Sequence, residues 1–242
     1  MSGLEIIELF EVPKKKRTVI TGFAGAGYIG NTALMHVVRK KGLKQVAYLH
    51  GNKMPPIMVL EGGSPKHSFR IYTDSSDEIL FLITEAMISD DSAWLIGQEV
   101  VKWLKGKGLK EIIAFEGFPF AQTGENVFGF TTTGKNLQEY SIQPLNQGAI
   151  SGVNASMLER TMKDGIPWTT IFVPTRIVSS IDYNGAISAI KVLNNMFQMN
   201  VDTEELERIS EAVSRVVQSQ QQRPRQKKGG FLDRILPGDQ DA

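Results

Sequence analysis

The sequence contains no cysteine, only three histidines and almost no net charge. Without cysteine, disulfides, thiolate metal sites and a cysteine nucleophile are all excluded. The 27 basic and 26 acidic residues give a formal net charge of +1, so the chain as a whole is not attracted to a polyanion. The sequence therefore predicts neither thiol chemistry nor a dedicated DNA- or RNA-binding protein.

Long apolar segments are absent as well. No stretch approaches the about 18 consecutive apolar residues that a membrane-spanning helix requires. The first residues, MSGLEIIELF, lack the basic start of a secretory signal. These absences predict a cytoplasmic protein with no membrane partner.

Strand-like and helix-like segments alternate over most of the chain. EILFLIT and KEIIAFE are apolar nearly throughout, as expected of strands that are covered on both faces. A helix-period segment around residues 94–104 separates them, and Gly106 follows it. The predicted fold class is α/β, with three α/β/α layers and a mostly parallel or mixed central sheet. No internal repeat or break divides residues 1–217, which predicts one domain.

A glycine-rich turn follows the strand TVITGF and precedes the helix-like NTALMHVVRKKG. Gly25, Gly27 and Gly30 give the spacing G-x-G-x-x-G, which in dinucleotide-binding folds admits a pyrophosphate at a helix N-terminus. That function requires an acidic residue about 20 residues later, where residues 50–53 read HGNK. We therefore favour a structural role, in which small residues let the helix pack closely on its strand. A nucleotide- or nucleoside-binding enzyme that uses this turn is the alternative.

Other catalytic patterns are weak. His36, His50 and His67 are not spaced as metal ligands, so no metal site is predicted. The segment 148–152 (GAISG) places its serine one position too late for a nucleophile elbow. Neither a catalytic residue nor a cofactor is predicted from these patterns.

Two glutamates form the best enzymatic alternative. Glu61 and Glu116 each follow an apparent strand and precede a glycine, so they could converge at one sheet edge as an acid and a base. The segment TTTGK (131–135) could form an anion-binding nest, although a hairpin turn is favoured. The basic run PKKKR (13–17) is interpreted as a solvated connection.

The C-terminal segment differs in composition. A last helix is predicted to begin at Asp202, with Glu205 three residues later as in a capping box. Residues 218–242 are predicted to form a flexible polar linker and a short amphipathic segment. In that segment Phe231, Leu232, Ile235 and Leu236 share one face, which is typical of a tethered docking motif. A disordered end without function is the alternative.

Several collinear segments together resemble the proteasome assembly chaperone family, in particular its archaeal members. They are GFAGAGYIGNTALMHVVRKKGLKQVAYL, EGGSPKHSFRIY, EILFLITEAM with WLIGQEVVKWLKGKGLKEIIAFEGFP, GAISGVNASMLERTMKDGIPWTTIFVPT and DYNGAISAIKVLNNMFQMNVDTEEL. The likeness extends from about Thr18 to about Leu206.

The resemblance implies a phosphorylase/hydrolase-like α/β/α fold, no catalysis and homo-oligomerisation. It also implies binding to proteasome α-subunits or the α-ring, and it allows a related assembly-chaperone paralogue as a partner. Family tails that dock on the proteasome end in a hydrophobic residue, tyrosine and any residue, whereas this chain reads Gln240-Asp241-Ala242. A homo-oligomeric scaffold with a non-proteasomal partner is a further alternative.

Overall fold

A computed structural model describes residues 3–120 and 126–221 of the chain. The strands are β1 (Leu4–Glu8), β2 (Arg17–Phe23), β3 (Lys44–Gly51), β4 (Met58–Glu61), β5 (Ser64–His67), β6 (Phe69–Thr73), β7 (Ile79–Thr84), β8 (Leu109–Pro119), β9 (Val127–Thr131), β10 (Ile142–Pro144) and β11 (Trp168–Thr175). The helices are α1 (Ile29–Lys41), α2 (Asp90–Gly106), α3 (Gly152–Lys163), α4 (Tyr183–Phe197) and α5 (Glu204–Gln221). Short 3-10 helices occur at Ala26–Tyr28 and Leu137–Tyr140.

Within the described residues, nine strands form one sheet in the order β1-β3-β6-β7-β2-β8-β11-β9-β10. At its centre β7, β2, β8 and β11 are parallel neighbours. On one side β6, β3 and β1 continue the sheet in antiparallel pairs. On the other side β9 is antiparallel to β11, and β10 is parallel to β9. The sheet is mixed, while β4 and β5 form a separate hairpin.

Helices cover both faces of this sheet. On one face, α1, α4 and the start of α5 pack against strand residues such as Ile20 and Phe115. On the other face, α2 and α3 pack against residues such as Val19 and Ile112. Burial on both sides explains why the central strands are apolar nearly throughout. The predicted three-layer α/β/α fold is confirmed.

A close contact between α2 and α3 fixes the position of α3. A Cβ on Gly97 would approach the Ser156 side chain to 2.6 Å. The Ser156 hydroxyl donates a hydrogen bond to the carbonyl oxygen of Trp94 at 2.7 Å, and Gln98 donates to the carbonyl of Ser156 at 3.2 Å. These contacts hold the N-terminal half of α3 against α2.

The last helix begins and ends later than predicted. It starts at Glu204 rather than at Asp202, because the Asp202 carbonyl is bonded to Nε2 of His36 at 2.8 Å and its carboxylate pairs with Lys40. The helix continues to Gln221. Residues 218–221, predicted to belong to the flexible linker, are therefore helical.

Two connections also differ from their predicted structures. In the basic run, Arg17 is only 1% exposed and its Nη1 donates to the carbonyls of Pro13 and Lys107 at 2.6 and 2.9 Å. The run is therefore not solvated throughout, because its last cation lies inside the protein. Segment 131–135 is not a hairpin turn, since the strands that it helps to connect, β9 and β10, are parallel.

Candidate protein-binding surface

The glycine-rich turn folds against the segment that follows β11. Gly27 has a φ of 64°, a left-handed conformation that favours glycine. Its N–H donates to the carbonyl of Val178 at 3.5 Å, and the N–H of Asp182 donates back to the Gly27 carbonyl at 2.8 Å. The N–H of Tyr28 donates to the carbonyl of Gly25 at 3.0 Å. Amides that could face a phosphate are therefore bonded within the protein.

The last glycine of the motif brings α1 against the sheet backbone. A Cβ on Gly30 would overlap the carbonyl oxygen of Phe115 in β8, and a Cβ on Gly22 would overlap the carbonyl of Gly30. By contrast, a Cβ on Gly25 would lie 3.9 Å from the carbonyl oxygen of Phe23, an ordinary van der Waals distance. Gly27 and Gly30 are required for conformation and packing, respectively. These contacts support the structural role predicted for the turn.

Glu116 lies at the carboxyl end of β8 in a short polar chain. The amide Nδ2 of Asn154, in the first turn of α3, donates to Oε1 of Glu116 at 2.8 Å. The Thr21 hydroxyl donates to Oδ1 of the same asparagine at 3.0 Å. Burial raises the pKa of Glu116 to about 7, although the hydrogen bond from Asn154 acts in the opposite direction. The carboxyl group of Glu116 therefore gains or loses its proton near neutral pH.

The second predicted glutamate lies elsewhere. Oε2 of Glu61 pairs with Nη1 of Arg70 at 2.9 Å, and the other nitrogen of this guanidinium, Nη2, pairs with Glu85. Arg70 belongs to β6, and β7 and β2 lie between β6 and β8. Three strand spacings place β6 about 14 Å from β8, the strand that carries Glu116. The structure therefore does not bring Glu61 and Glu116 together as an acid and base pair.

The structure does not bring the three histidines together at one site. Nε2 of His36 is bonded to a backbone carbonyl in the loop before α5, whereas His67 stacks on Tyr48 with ring centroids 3.7 Å apart. Burial, with smaller effects from His50 and Arg70, lowers the pKa of His67. Among the residues that the structure describes, no group of three or more His, Asp or Glu side chains could hold a metal ion.

Exposed apolar side chains collect where the central strands end. Because β7, β8 and β11 are parallel, the segments that follow them meet at the carboxyl edge of the sheet. The side chains there are between 39% and 56% exposed. We call this group the carboxyl-edge surface; it consists of Met87, Phe120, Ile177, Val178 and Ile181. Exposed apolar side chains that share one edge of the sheet make this edge a candidate protein-contact region.

A cleft of about 780 Å³ adjoins this surface. Phe120 and Ile177 contribute apolar atoms to it, while Asn184, Ser188 and Lys191 of α4 contribute polar groups. The N-cap of α4, Asp182, accepts hydrogen bonds from the Thr175 hydroxyl at 2.6 Å and from the Gly185 amide at 2.9 Å. The cleft is open and mixed in character, and it extends the contact area of the carboxyl-edge surface.

The residues of this surface were not found from the sequence. Ile177, Val178 and Ile181 lie in RIVSSID, between a buried strand and the start of a helix. The local pattern did not reveal them, because the spacing of Ile177, Val178 and Ile181 also fits one face of a helix, whose apolar side chains would be expected to be buried. The predicted docking residues Phe231, Leu232, Ile235 and Leu236 lie outside the described residues.

The architecture and the surface together define a layered α/β protein with an apolar contact region at the carboxyl edge. A family model described as the PAC2 family matches residues 19–221. The chain therefore belongs to the PAC2 family. In the described part of the chain, no helix is long and apolar enough to cross a membrane.

Individual proteins are similar to this chain. An uncharacterized protein of Methanocaldococcus jannaschii is 23% identical over 215 residues, covering 88% of this chain and 89% of its own length. The Pyrococcus furiosus protein PbaA, described as an archaeal homolog of proteasome-assembly chaperone, has the same fold, with a TM-score of 0.80, 20% identity and coverage of 90% and 92% of the two chains. PbaB of the same organism, described as an archaeal proteasome activator, matches with a TM-score of 0.80, 14% identity and coverage of 91% and 100%.

Proposed function

We propose that the protein is a non-catalytic, ATP-independent assembly chaperone that self-associates and binds proteasome α-subunits. The observation that carries this proposal is membership of the PAC2 family over residues 19–221, joined to the fold shared with PbaA and PbaB. A related assembly-chaperone paralogue is a further partner that this family allows.

The carboxyl-edge surface is the contact region that we assign to the α-subunit. Its exposed apolar side chains, Ile177, Val178 and Ile181 among them, would lose water on binding, which contributes about 25 cal/mol per Å² of apolar area. A chaperone of this kind covers a subunit surface in an intermediate and leaves when the final neighbour binds more tightly. No bond is made or broken in such a cycle.

The contacts of the turn and of the glutamates favour this function over an enzyme. The amides of Gly27 and Tyr28 are bonded to backbone carbonyls, which leaves them poorly placed for a phosphate. Glu61 is paired with Arg70, away from Glu116. Nucleotide binding at the turn would require these amides to be released, and acid–base catalysis would require Glu61 to leave Arg70 and approach Glu116.

A double substitution at the carboxyl-edge surface tests the proposal. Val178→Asp with Ile181→Asp places two charges on exposed side chains, so we expect the fold to persist. Leu60→Asp is the matched control, because Leu60 is 75% exposed on the separate β4–β5 hairpin. The measurement is co-purification of tagged protein with co-expressed proteasome α-subunits, followed by native mass determination of the complex.

We expect the parent and the Leu60 variant to retain the α-subunit and the double variant to lose at least about tenfold in affinity. If the parent retains no α-subunit, the proposed partner is wrong. A parent that forms only self-complexes would support a scaffold with a non-proteasomal partner instead.

A further inference from the structure

The cleft beside the carboxyl-edge surface follows α4 as a groove. One wall is a row of polar side chains that α4 supplies, namely Asn184, Ser188, Lys191 and Asn195. Intervals of three and four residues place them on one side of the helix, and the row extends about 16 Å along the helix axis. We call this cleft the α4 groove. Ile177 belongs both to its lining and to the carboxyl-edge surface, so the two are continuous.

The base of the α4 groove is apolar. Val127 of β9 and Val173 of β11 contribute to the lining and are only 6% and 1% exposed. Two buried residues of α4, Ile187 and Val192, lie in the same lining. An extended peptide points successive side chains in opposite directions. It can therefore place apolar side chains on this base and keep polar ones toward the wall or the solvent.

The polar groups of the wall are spread along the groove and do not converge on one point. Small-molecule sites, by contrast, fix their ligand with a few convergent polar groups. An asparagine amide both donates and accepts hydrogen bonds, as a peptide group does. In the described part of the chain Asn195 has no hydrogen-bond partner. About five residues of extended chain match the length of the row, so the wall suits the main chain of a peptide segment.

The charges of the groove favour an acidic segment. Among the described residues that line it, Arg176 and Lys191 are cations and Asp182 is a carboxylate. Asp182 is engaged at the start of α4, where it accepts hydrogen bonds from Thr175 and Gly185. Lys191 is exposed, and no acidic side chain that the structure describes pairs with it. A carboxylate on an incoming segment would be attracted to Lys191, whereas an ammonium group would be repelled.

We propose that the α4 groove binds an extended, acidic segment of the α-subunit that the carboxyl-edge surface contacts. This inference rests on the proposed function and names the kind of segment that the partner supplies. Apolar side chains of the segment lie on the base, its main chain bonds to the asparagine amides, and one carboxylate pairs with Lys191. Because an exposed ion pair contributes little affinity by itself, Lys191 mainly selects which segment binds.

Three peptide libraries test the groove in the full chain. The peptides are about seven residues long, enough to span the row, and every position is randomised except the central one, which is Glu, Gln or Lys. Equilibrium dialysis measures how much of each library the protein retains. We expect the Glu library to be retained about fivefold more than the Lys library, with the Gln library between them. Lys191→Glu should reverse this preference. Lys16→Glu, at another exposed lysine, is the matched control and should keep it.

The inference is overturned if the full chain shows no preference among the libraries, or if Lys191→Glu keeps the preference of the parent. A full chain that retains none of the libraries, as expected if another segment of the same chain fills the groove, also overturns it. Displacement of the peptides by an equal concentration of free glutamate would identify a small-molecule site and overturn it as well. Thermal unfolding verifies that each variant is folded.

Co-purification with α-subunits separates this inference from the proposed function. We expect Lys191→Glu to retain less α-subunit than the parent and Lys16→Glu to retain as much. If the parent and Lys191→Glu bind the α-subunit equally well, the inference is overturned while the proposed function stands. A parent that prefers the Glu library but retains no α-subunit supports the groove as a site for acidic segments and refutes the proposed partner.

Discussion

Replacement of Glu116 by glutamine should make the protein more stable at alkaline pH without changing its stability in acid. The carboxyl group has a pKa of about 7 in the folded protein, raised by burial, against 4.5 for the unperturbed group. Below pH 4.5 it is protonated in both the folded and unfolded states. Between pH 4.5 and 7 the folded protein holds a proton that the unfolded chain has released, so stability falls as pH rises.

The pKa difference sets the size of this effect. A shift from 4.5 to about 7 corresponds to about 3 kcal/mol of unfolding free energy lost above pH 7. Glu116 is partly open to solvent, and the adjacent start of α3 favours a negative charge, so the measured loss should be about 1–3 kcal/mol. Glutamine retains an oxygen for the hydrogen bond from Asn154 and has no proton to lose.

Urea unfolding followed by tryptophan fluorescence at pH 4.5 and pH 8 measures this difference. We expect the Glu116→Gln variant to match the parent at pH 4.5 and to exceed it by about 1–3 kcal/mol at pH 8. The exposed Glu78, whose side chain is 66% exposed, provides the same substitution on the surface as a control. An equal stability difference between the Glu116→Gln variant and the parent at both pH values would refute the reasoning.

Two further substitutions and one ligand test follow from the packing, the ion pairs and the contacts of the glycine-rich turn. Gly30→Ala should lower the free energy of unfolding by at least about 2 kcal/mol, because the added Cβ would overlap a strand carbonyl. Gly106→Ala is the control and should cause no loss, because the added carbon meets no neighbouring atom within 4 Å. Urea unfolding compares the two variants. By the same assay, Arg70→Met should cost about 3 kcal/mol by leaving Glu85 without its partner, while the exposed Arg39→Met should cost less than about 0.5 kcal/mol. NAD, NADP and nucleosides should not shift the thermal unfolding midpoint, although a true ligand at 100 times its dissociation constant would add about 2.7 kcal/mol; a clear shift would restore the enzyme alternative.

The layers of the fold could be predicted because the central strands are apolar nearly throughout. EILFLIT and KEIIAFE are apolar on both faces, and the segments between them have a helical period, which together require helices on each side of a sheet. Strand order could not be read in the same way. The place of β2 between β7 and β8 depends on long-range pairing, which local patterns do not encode.

The candidate site was predictable only in part. Gly25, Gly27 and Gly30 were singled out from the sequence because a helix that packs closely on the preceding strand needs residues without a Cβ, and the contacts of Gly27 and Gly30 support that role. Arg17 was assigned to solvent because a run of cations is usually exposed. Of the carbonyl groups that accept its hydrogen bonds, that of Pro13 is four residues away, but that of Lys107 is brought near only by the tertiary fold. Burial in the folded protein raises the pKa of Glu116, and the hydrogen bond that opposes this shift comes from Asn154, 38 positions away, so local patterns encode neither effect.

The crossing of α1 over the sheet has an evolutionary consequence. Gly22 and Gly30 meet main chain to main chain, with no side chain between them that could be trimmed. An enlargement at one position therefore cannot be relieved by a smaller residue at the other, since neither can become smaller. A genetic screen for suppressors of Gly30→Ala should recover changes that move the whole helix, or only true revertants.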